Sequence, residues 1–210
     1  MDVSIVIPEL NEEKFIAMTL KALKKQDFKG SFEIIVADGN SDDATVKIAR
    51  KYADRVVIEK TRTIAAGRQS GTAIAKGKII AFTDADSMPE KNWLSELAKL
   101  FEDEEVAATF GTLVFKDATP VELWACRHLF PLYLKIFNSL GCSTGTGSNM
   151  AVRRDAFEKA GGFNVGLTTA EDIDLLNRMK RFGKVVFNEK ALVSVSPRRM
   201  ARILWEGAWG

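Results

Sequence analysis

Two aspartates separated by one residue, Asp84-Ala85-Asp86, directly follow the apolar run 78–83. Because side chains alternate along an extended chain, we expect one carboxylate to point into a crevice while the other reaches a ribose or a metal-bound water. Carboxylate oxygens are the ligands that Mg²⁺ or Mn²⁺ prefers. The motif therefore predicts a metal site that holds a phosphorylated ligand. The alternative is a plain strand end that leads into a helix.

Two more polar clusters follow apolar runs in the first half of the chain. Pro8, Glu9 and Asn11 come after the first run, and Asp38 opens a turn after the second. The carboxylate of Asp38 suits the N–H edge of a nucleobase, and its alternative role is a helix cap. Asn11 is predicted to cap the helix that follows it. We expect these clusters to line one nucleotide-binding crevice with the acidic pair.

Other candidate functional residues are basic or lie in the second half. The forked guanidinium of Arg68 suits a base carbonyl or a phosphate, although a solvated surface arginine is the plainer interpretation. Glu171 and Asp172 begin a predicted helix, where Asp172 is the candidate general base and a favourable interaction with the helix dipole is the alternative. Ser148 and Asn149 follow a glycine-rich stretch and are predicted to lie on the acceptor side.

The elements that must position these residues follow from hydrophobic periodicity. Runs that are apolar on both faces alternate with helix-length segments, which predicts a parallel, doubly wound α/β sheet with helices on both faces. In such sheets, ligands bind beyond the carboxyl ends of the strands. The predicted strands are 3–7, 33–37, 55–58, 78–83, 106–115, 148–152, 184–187 and 192–195, and the predicted helices include a segment opening at 11–13, 61–76, 154–160 and 170–181.

Taken together, these clusters resemble glycosyltransferase family 2, whose members have the GT-A fold. The matching segments, in the family's order, are 3–8 with 11–13, 33–43, 66–68, 83–86 (a DXD motif), 147–154 with 161–163, and 171–175. The resemblance implies a GT-A type doubly wound, mainly parallel sheet with an antiparallel acceptor-side extension. It covers about residues 3 to 196, with a nucleotide-sugar-binding half at 1–105 and an acceptor half at 106–196.

The resemblance also implies an activity and residue roles. The chain is expected to be a metal-dependent, inverting glycosyltransferase that uses a nucleoside-diphosphate sugar, UDP first and GDP or dTDP as alternatives. Asp38 and Arg68 contact the base, Asp84 the ribose and Asp86 the metal, while Asp172 is the general base. Ala37 and Glu9 depart from the family pattern, since many members have an acidic residue at the first position and a small or neutral one at the second.

Other function classes stay open at this point. A nucleotidyltransferase should carry a glycine- and arginine-rich loop with a lysine after the first strand, where this chain has residues 8–12. A non-catalytic nucleotide-sugar-binding homologue would not need Asp172. The formal net charge of +2 gives no support for a nucleic-acid partner, and one histidine argues against most zinc sites.

The segment 121–140 carries more apolar residues than one helix face needs, around a break at Pro131. A membrane surface, a second copy of the chain and the protein's own core are its three candidate partners. A membrane surface would go with a lipid-linked acceptor, and a glycan is the other acceptor that we expect. We expect a cytoplasmic protein, peripheral at the membrane in that case, because the N-terminus lacks a signal-peptide pattern. Residues 197–210 form a tail that is predicted to act as a lid or to lie near the membrane.

Overall fold

The computed structural model describes residues 1–116, 119–140 and 145–195. Eight strands and seven α-helices alternate along this part of the chain, and a short 3₁₀ helix follows α4. The strands are β1 (Val3–Glu9), β2 (Phe32–Asp38), β3 (Arg55–Ile58), β4 (Ile79–Phe82), β5 (Met88–Pro89), β6 (Val106–Phe115), β7 (Met150–Arg153) and β8 (Lys184–Val195). The helices are α1 (Ile16–Leu23), α2 (Thr45–Ala49), α3 (Ile64–Ile74), α4 (Trp93–Ala98), α5 (Pro120–Ser139), α6 (Arg154–Lys159) and α7 (Glu171–Met179).

All eight strands form one sheet in the order β3-β2-β1-β4-β7-β6-β8-β5. The four strands from β3 to β4 are parallel, whereas β7 runs antiparallel to both β4 and β6. β6 and β8 are parallel, and the short β5 pairs antiparallel with β8. The predicted α/β class, with a parallel first half and an antiparallel extension, is confirmed.

The sheet separates two hydrophobic layers. Because side chains alternate along a strand, β1 sends Ile5 and Ile7 to one layer and Val6 to the other. All seven residues of β1 are buried, as expected for a central parallel strand. The first layer packs α1 and α4 against the sheet, with Trp93 fully buried, while the second packs α3, α6 and α7 around Phe82 and Phe110.

Several predicted boundaries were wrong. α1 begins at Ile16 rather than near Asn11, which has a φ of 54° and lies outside the helix. α3 is shorter than 61–76, because Thr63 caps its start and Ala75 returns to an extended conformation. The two strands predicted at 184–187 and 192–195 are one strand, β8, with a register shift against β6. Pairing with β6 keeps residues 184–195 extended, and this pairing cannot be predicted from the local sequence.

α5 is one continuous helix, although a break was predicted at Pro131. Thr119 and Glu122 form a capping box at its start. Among its residues only Pro131 and Leu134 are buried, so most of its apolar side chains are exposed. No described helix combines the length and hydropathy of a membrane-spanning segment. The predicted tail, 197–210, and most of the glycine-rich loop, 141–144, lie outside the described residues.

Candidate functional site

The candidate site lies where the carboxyl ends of β2, β1 and β4 meet. β1 is the central strand of the three and pairs in parallel with both neighbours. The chain leaves β1 toward β2 and later returns to β4 on the other side, so a topological switch point lies between β1 and β4. β1 and β2 end together at Glu9 and Asp38, whereas β4 ends earlier in the register, at Phe82 opposite Val6.

The loops after β1 and β2 are tied together by Asn11. Its backbone N–H donates to the Ser41 Oγ at 2.8 Å, and its side-chain Oδ1 accepts from the Asp42 N–H at 2.9 Å. These two bonds explain the left-handed backbone of Asn11, which asparagine tolerates better than most residues. The prediction that Asn11 caps α1 was therefore wrong, because its side chain is used by the neighbouring loop.

Glu9 and Asp38 end their strands side by side, as register partners of β1 and β2. Asp38 is fully buried and its Oδ2 accepts the Ser41 N–H at 2.8 Å. Burial, together with a hydrogen bond to Asp38 and the negative charge of that residue, raises the pKa of Glu9 to about 9. Glu9 is therefore neutral at pH 7. The predicted contact of Asp38 with a base stays a prediction, since its carboxylate is covered in this structure.

The acidic motif lies in a turn rather than on a strand. β4 ends at Phe82, and the Ser87 N–H donates to the Asp84 carbonyl at 3.2 Å, which folds the chain back at Ala85 and Asp86. The predicted alternation of Asp84 and Asp86 along an extended chain was therefore wrong. Both side chains are nonetheless almost fully buried at the mouth of the switch point.

A threonine that the sequence interpretation missed supports this turn. The Thr19 hydroxyl lies 2.6 Å from the carbonyl oxygen of Ala85 and 2.8 Å from that of Ser87, so one donor is shared between two acceptors. Thr19 is fully buried on the same face of α1 as Ile16 and Leu20. A hydroxyl on an otherwise apolar helix face must find a buried acceptor. A single hydroxyl between apolar residues on one helix face is the sequence signal that could have identified Thr19.

Arg68 connects the acidic turn with α7. Its guanidinium is 3.2 Å from the Asp84 Oδ1 on one side and is paired with the Glu171 carboxylate on the other. Only 3% of the arginine side chain is exposed, and the ring of Phe163 lies 5.8 Å away. Gly147 packs directly on the guanidinium, where any side chain would collide with it. Arg68 is thus a buried cation rather than the solvated surface arginine that was the alternative.

Glu171 and Asp172 lie side by side at the start of α7, after Ala170 in a left-handed conformation. Asp172 Oδ2 accepts the Gly147 N–H at 2.7 Å, and its Oδ1 accepts the Ile173 N–H at 2.8 Å. These bonds fix the carboxylate against the glycine-rich loop. Burial raises the pKa of Glu171, and the positive charge of Arg68 opposes that rise. The two acids at the start of α7 therefore differ. Glu171 is buried and paired with Arg68, whereas Asp172 is hydrogen-bonded to the glycine-rich loop.

Ser148 and Asn149 continue from that loop into β7. Asn149 is fully buried, and its amide accepts from the Trp93 Nε1 at 2.9 Å and donates to the carbonyls of Thr112 and Ala191, each at 2.9 Å. An acceptor contact by Asn149 would break buried hydrogen bonds, so its visible role is to hold β6, β8 and α4 together behind the site. Ser148 is also buried, with its hydroxyl 3.2 Å from that of Thr146.

The donor set at the acidic turn fits a divalent cation that is completed by substrate. No group of three or more acidic, cysteine or histidine side chains suited to a metal occurs among the residues that the structure describes. Mg²⁺ in nucleotide enzymes is held by one or two carboxylates together with substrate phosphates and water. Asp86 with Asp84 beside it matches that arrangement. The remaining ligands would come from a diphosphate in the crevice.

Comparison with known proteins gives the family. The model of "Glycosyl transferase family 2" matches residues 4–161. The chain belongs to this family. It is 31% identical over 198 residues to a probable glycosyltransferase, YdaM, of Bacillus subtilis, which covers 86% of this chain and 47% of the relative. It is also 25% identical over 207 residues to the glycosyltransferase AglE of Haloferax volcanii, and this match covers 94% of this chain and 67% of AglE. The chain thus spans about half the length of the first relative.

Solved structures confirm the GT-A fold for this family member. The mannosyltransferase PcManGT of Pyrobaculum calidifontis, in complex with GDP-Man and Mn²⁺, superimposes with a TM-score of 0.77 at 21% identity over 97% of this chain and 59% of the other. Glucosyl-3-phosphoglycerate synthase of Mycobacterium tuberculosis, in complex with Mn²⁺, UDP and glucosyl-3-phosphoglycerate, superimposes with a TM-score of 0.70 at 20% identity. The match covers 96% of this chain and 74% of the other. At these identities the likeness concerns the fold alone.

The buried position of Arg68 generates a stability prediction. Replacing Arg68 with Met leaves Asp84 and Glu171 buried without their cation, and we expect a loss of about 3–5 kcal/mol in the free energy of unfolding. Arg62→Met is the matched control, because Arg62 pairs with the exposed Asp42 and should lose less than about 1 kcal/mol. Urea unfolding of both variants measures the difference. Equal losses would show that the buried pairing does not stabilise the fold.

Proposed function

We propose that this chain transfers a sugar from a nucleoside-diphosphate sugar to an acceptor, by a metal-dependent, inverting displacement. The observation that carries the proposal is that Arg68 brings the donor-side turn and the acceptor-side helix together. It pairs with Asp84 on one side and with Glu171 on the other, next to Asp172. Carboxylates from distant parts of the sequence are therefore brought together around one guanidinium.

On the donor side, the nucleoside would lie across the ends of β1 and β2, between Pro8, Glu9 and Asn11 on one loop and Asp38 on the other. Asp84 would face the ribose, and Asp86 would hold Mg²⁺ or Mn²⁺ against the diphosphate. Ala85 supplies the tight turn that places the two acids. Arg68 lies on the Asp84 side of the crevice, so we assign it to the diphosphate end of the donor rather than to the base.

The nucleotide is proposed to be UDP, with GDP or dTDP as the alternatives. Solved structures of the poly(ribitol-phosphate) β-N-acetylglucosaminyltransferase TarS of Staphylococcus aureus contain UDP or UDP-GlcNAc, while PcManGT contains GDP-Man. A metal ion, when bound, neutralises the charge that develops on the leaving diphosphate. We propose this role at Asp86.

Asp172 is proposed as the general base. Its carboxylate would take the proton of an acceptor hydroxyl as that oxygen forms a bond to the anomeric carbon. The bond from that carbon to the diphosphate breaks on the opposite face, and the nucleoside diphosphate leaves with the electron pair. One displacement of this kind inverts the anomeric configuration. The N–H groups of Gly147 and Ile173 orient the carboxylate.

The nucleotidyltransferase alternative has no support at the end of β1 and in the loop after it, because residues 8–12 lack the expected glycines and basic residues. The family assignment also points to sugar transfer. A non-catalytic binding homologue differs from an enzyme in one measurable way, because it should bind a nucleotide sugar without turnover. The variants below separate these functions.

We propose that α5 rests on an anionic lipid surface, which would place a lipid-linked acceptor near the site. One long side of the helix is apolar and exposed, including Leu132 at 54% and Ile136 at 48% exposure. Arg127, His128 and Lys135 are exposed on the same helix, where Lys135 pairs with Glu189. Basic residues on an interfacial helix favour anionic lipids. Aromatic side chains that favour a membrane interface, Trp124 and Tyr133, are also exposed on this helix.

The base assignment predicts that Asp172→Asn lowers the transfer rate by about 10²–10⁴-fold, because an amide cannot accept the acceptor proton. Binding of UDP or GDP with Mn²⁺ should stay within about twofold of the wild type, since Asp172 lies on the acceptor side. Asp174→Asn is the control on the same helix, where the side chain pairs with Arg178 at the surface. Transfer of a radiolabelled sugar gives the rate, and calorimetry gives the affinity. A fully active Asp172→Asn variant would refute the assignment.

The metal assignment predicts that Asp86→Asn abolishes the stimulation of donor turnover by Mn²⁺, because an amide oxygen is a weaker ligand than a carboxylate. Asp103→Asn, on the surface far along the chain, should titrate with Mn²⁺ like the wild type. The measurement is the rate of donor hydrolysis or transfer against Mn²⁺ concentration. Identical Mn²⁺ dependence in Asp86→Asn and wild type would exclude this residue as the ligand.

The lipid proposal predicts that the chain floats with vesicles of phosphatidylglycerol and phosphatidylethanolamine but less with phosphatidylcholine alone. Leu132→Ser combined with Ile136→Ser should lose most of this binding, because it removes apolar area from the exposed face of α5. Ile58→Ser with Val165→Ser is the control, since these side chains are similarly exposed elsewhere. Absence of wild-type protein from the lipid fraction, or a dimer in sedimentation that the α5 variant abolishes, would overturn the proposal.

A further inference from the structure

Two acidic side chains share a buried position at the ends of β1 and β2. Glu9 and Asp38 are direct register partners, so their side chains project to the same side of the sheet. Glu9 is 7% exposed and Asp38 is fully buried. Two ionised carboxylates in such a place repel each other and lose their hydration. Some feature must therefore remove one of the two charges or compensate it.

The hydrogen bonds around the pair show which atoms lack a donor. Asp38 Oδ2 accepts the Ser41 N–H at 2.8 Å. Within the described residues, Asp38 Oδ1 and both Glu9 oxygens receive no hydrogen bond from an N–H or hydroxyl group. A proton on Glu9 resolves this shortage, because the neutral acid then donates its own O–H to Asp38 Oδ1. The pair carries one negative charge in that state.

The neighbouring charges favour the same arrangement. Besides Asp38, the groups that act on Glu9 are the acidic Asp43 and Glu12, and both raise its pKa, which burial already raises to about 9. The arginines of the adjoining segments are engaged elsewhere. Arg62 pairs with Asp42, and Arg68 pairs with Asp84 and Glu171.

Glu9 and Asp38 lie where the loops after β1 and β2 begin, and these loops would line the nucleoside site. The Gly39 N–H donates to the Glu9 carbonyl at 2.8 Å, which joins the first residue after β2 to the last residue of β1. Farther out, Asn11 bonds to Ser41 and Asp42. A second full charge on Glu9 would push the two strand ends apart where these loops begin.

We propose that Glu9 is a positioning residue of the nucleotide site, which as a neutral acid donates a hydrogen bond to Asp38 and holds the loops after β1 and β2 together. The proton stays on Glu9 and the negative charge stays on Asp38, at the base of the two loops. The proposal rests on the proposed function for its nucleotide part. Its structural part, the shared proton, stands by itself.

The shared proton is tested by stability as a function of pH. In the unfolded chain Glu9 ionises near its ordinary pKa of 4.5, whereas in the folded protein it ionises near 9. The folded state therefore holds one proton more between these values, and the wild-type free energy of unfolding should fall as the pH rises through this window. Glu9→Gln cannot ionise there, so its stability relative to wild type should increase from pH 5 to pH 9. The exposed Glu102→Gln is the control and should follow the wild type.

The nucleotide part is tested by calorimetry with UDP and GDP in the presence of Mg²⁺ at pH 7 and pH 9.5. Ionisation of the base itself at pH 9.5 affects the wild type and Glu9→Gln alike, so the measured quantity is the ratio of their affinities. About one quarter of Glu9 is protonated at pH 9.5, so wild-type affinity relative to Glu9→Gln, which keeps an N–H donor toward Asp38 at both pH values, should fall about fourfold. Glu9→Leu provides no donor and should bind more weakly at both.

The outcomes separate the two parts. If the wild type and Glu9→Gln respond to pH with the same change in stability, the shared proton is wrong. If the stability curves differ as expected but nucleotide affinity changes with pH equally in the wild type and in Glu9→Gln, the positioning role is wrong. If neither UDP nor GDP binds the wild type at pH 7, the proposed function fails together with the nucleotide role, while the stability experiment still decides the state of Glu9.

Discussion

The buried guanidinium of Arg68 is the interaction on which the candidate site depends. A cation that is almost removed from water needs anionic partners on each side, and here they are Asp84 after β4 and Glu171 at the start of α7. These partners are far apart in sequence, so the ion pairs fix the second half of the chain against the first. Gly147 packs against the guanidinium, where a larger side chain would collide with it. The N–H of the same residue donates to Asp172 and orients its carboxylate.

The negative charges of the other acidic residues in the site are compensated in three ways. Asp84 is compensated by an arginine, Asp172 by backbone N–H groups, and Glu9 by a proton that it shares with Asp38. Each acid is held in a different state because its surroundings differ, although the side chains are chemically alike.

Much of the fold follows from local sequence. The alternation of apolar runs and amphipathic segments predicts the parallel half, and it predicts that Glu9, Asp38 and Asp84 lie at one edge of the sheet, at or just beyond the carboxyl ends of their strands. Boundaries were less accurate where tertiary contacts decide them. Thr63 shortens α3, pairing with β6 unites β8, and the neighbouring loop takes the side chain of Asn11 away from α1. Local propensity does not contain those partners.

The sequence by itself determined the family, the order of the elements and the acidic residues that gather at the strand ends, because these depend on periodicity and on motifs of fixed spacing. Only the tertiary structure decided what each acid does. It turned the chain at Ala85 and Asp86, buried Arg68 between two carboxylates and placed Asn149 in the core. The physical reason is that burial and charge pairing arise between residues distant in sequence, and these set protonation and orientation.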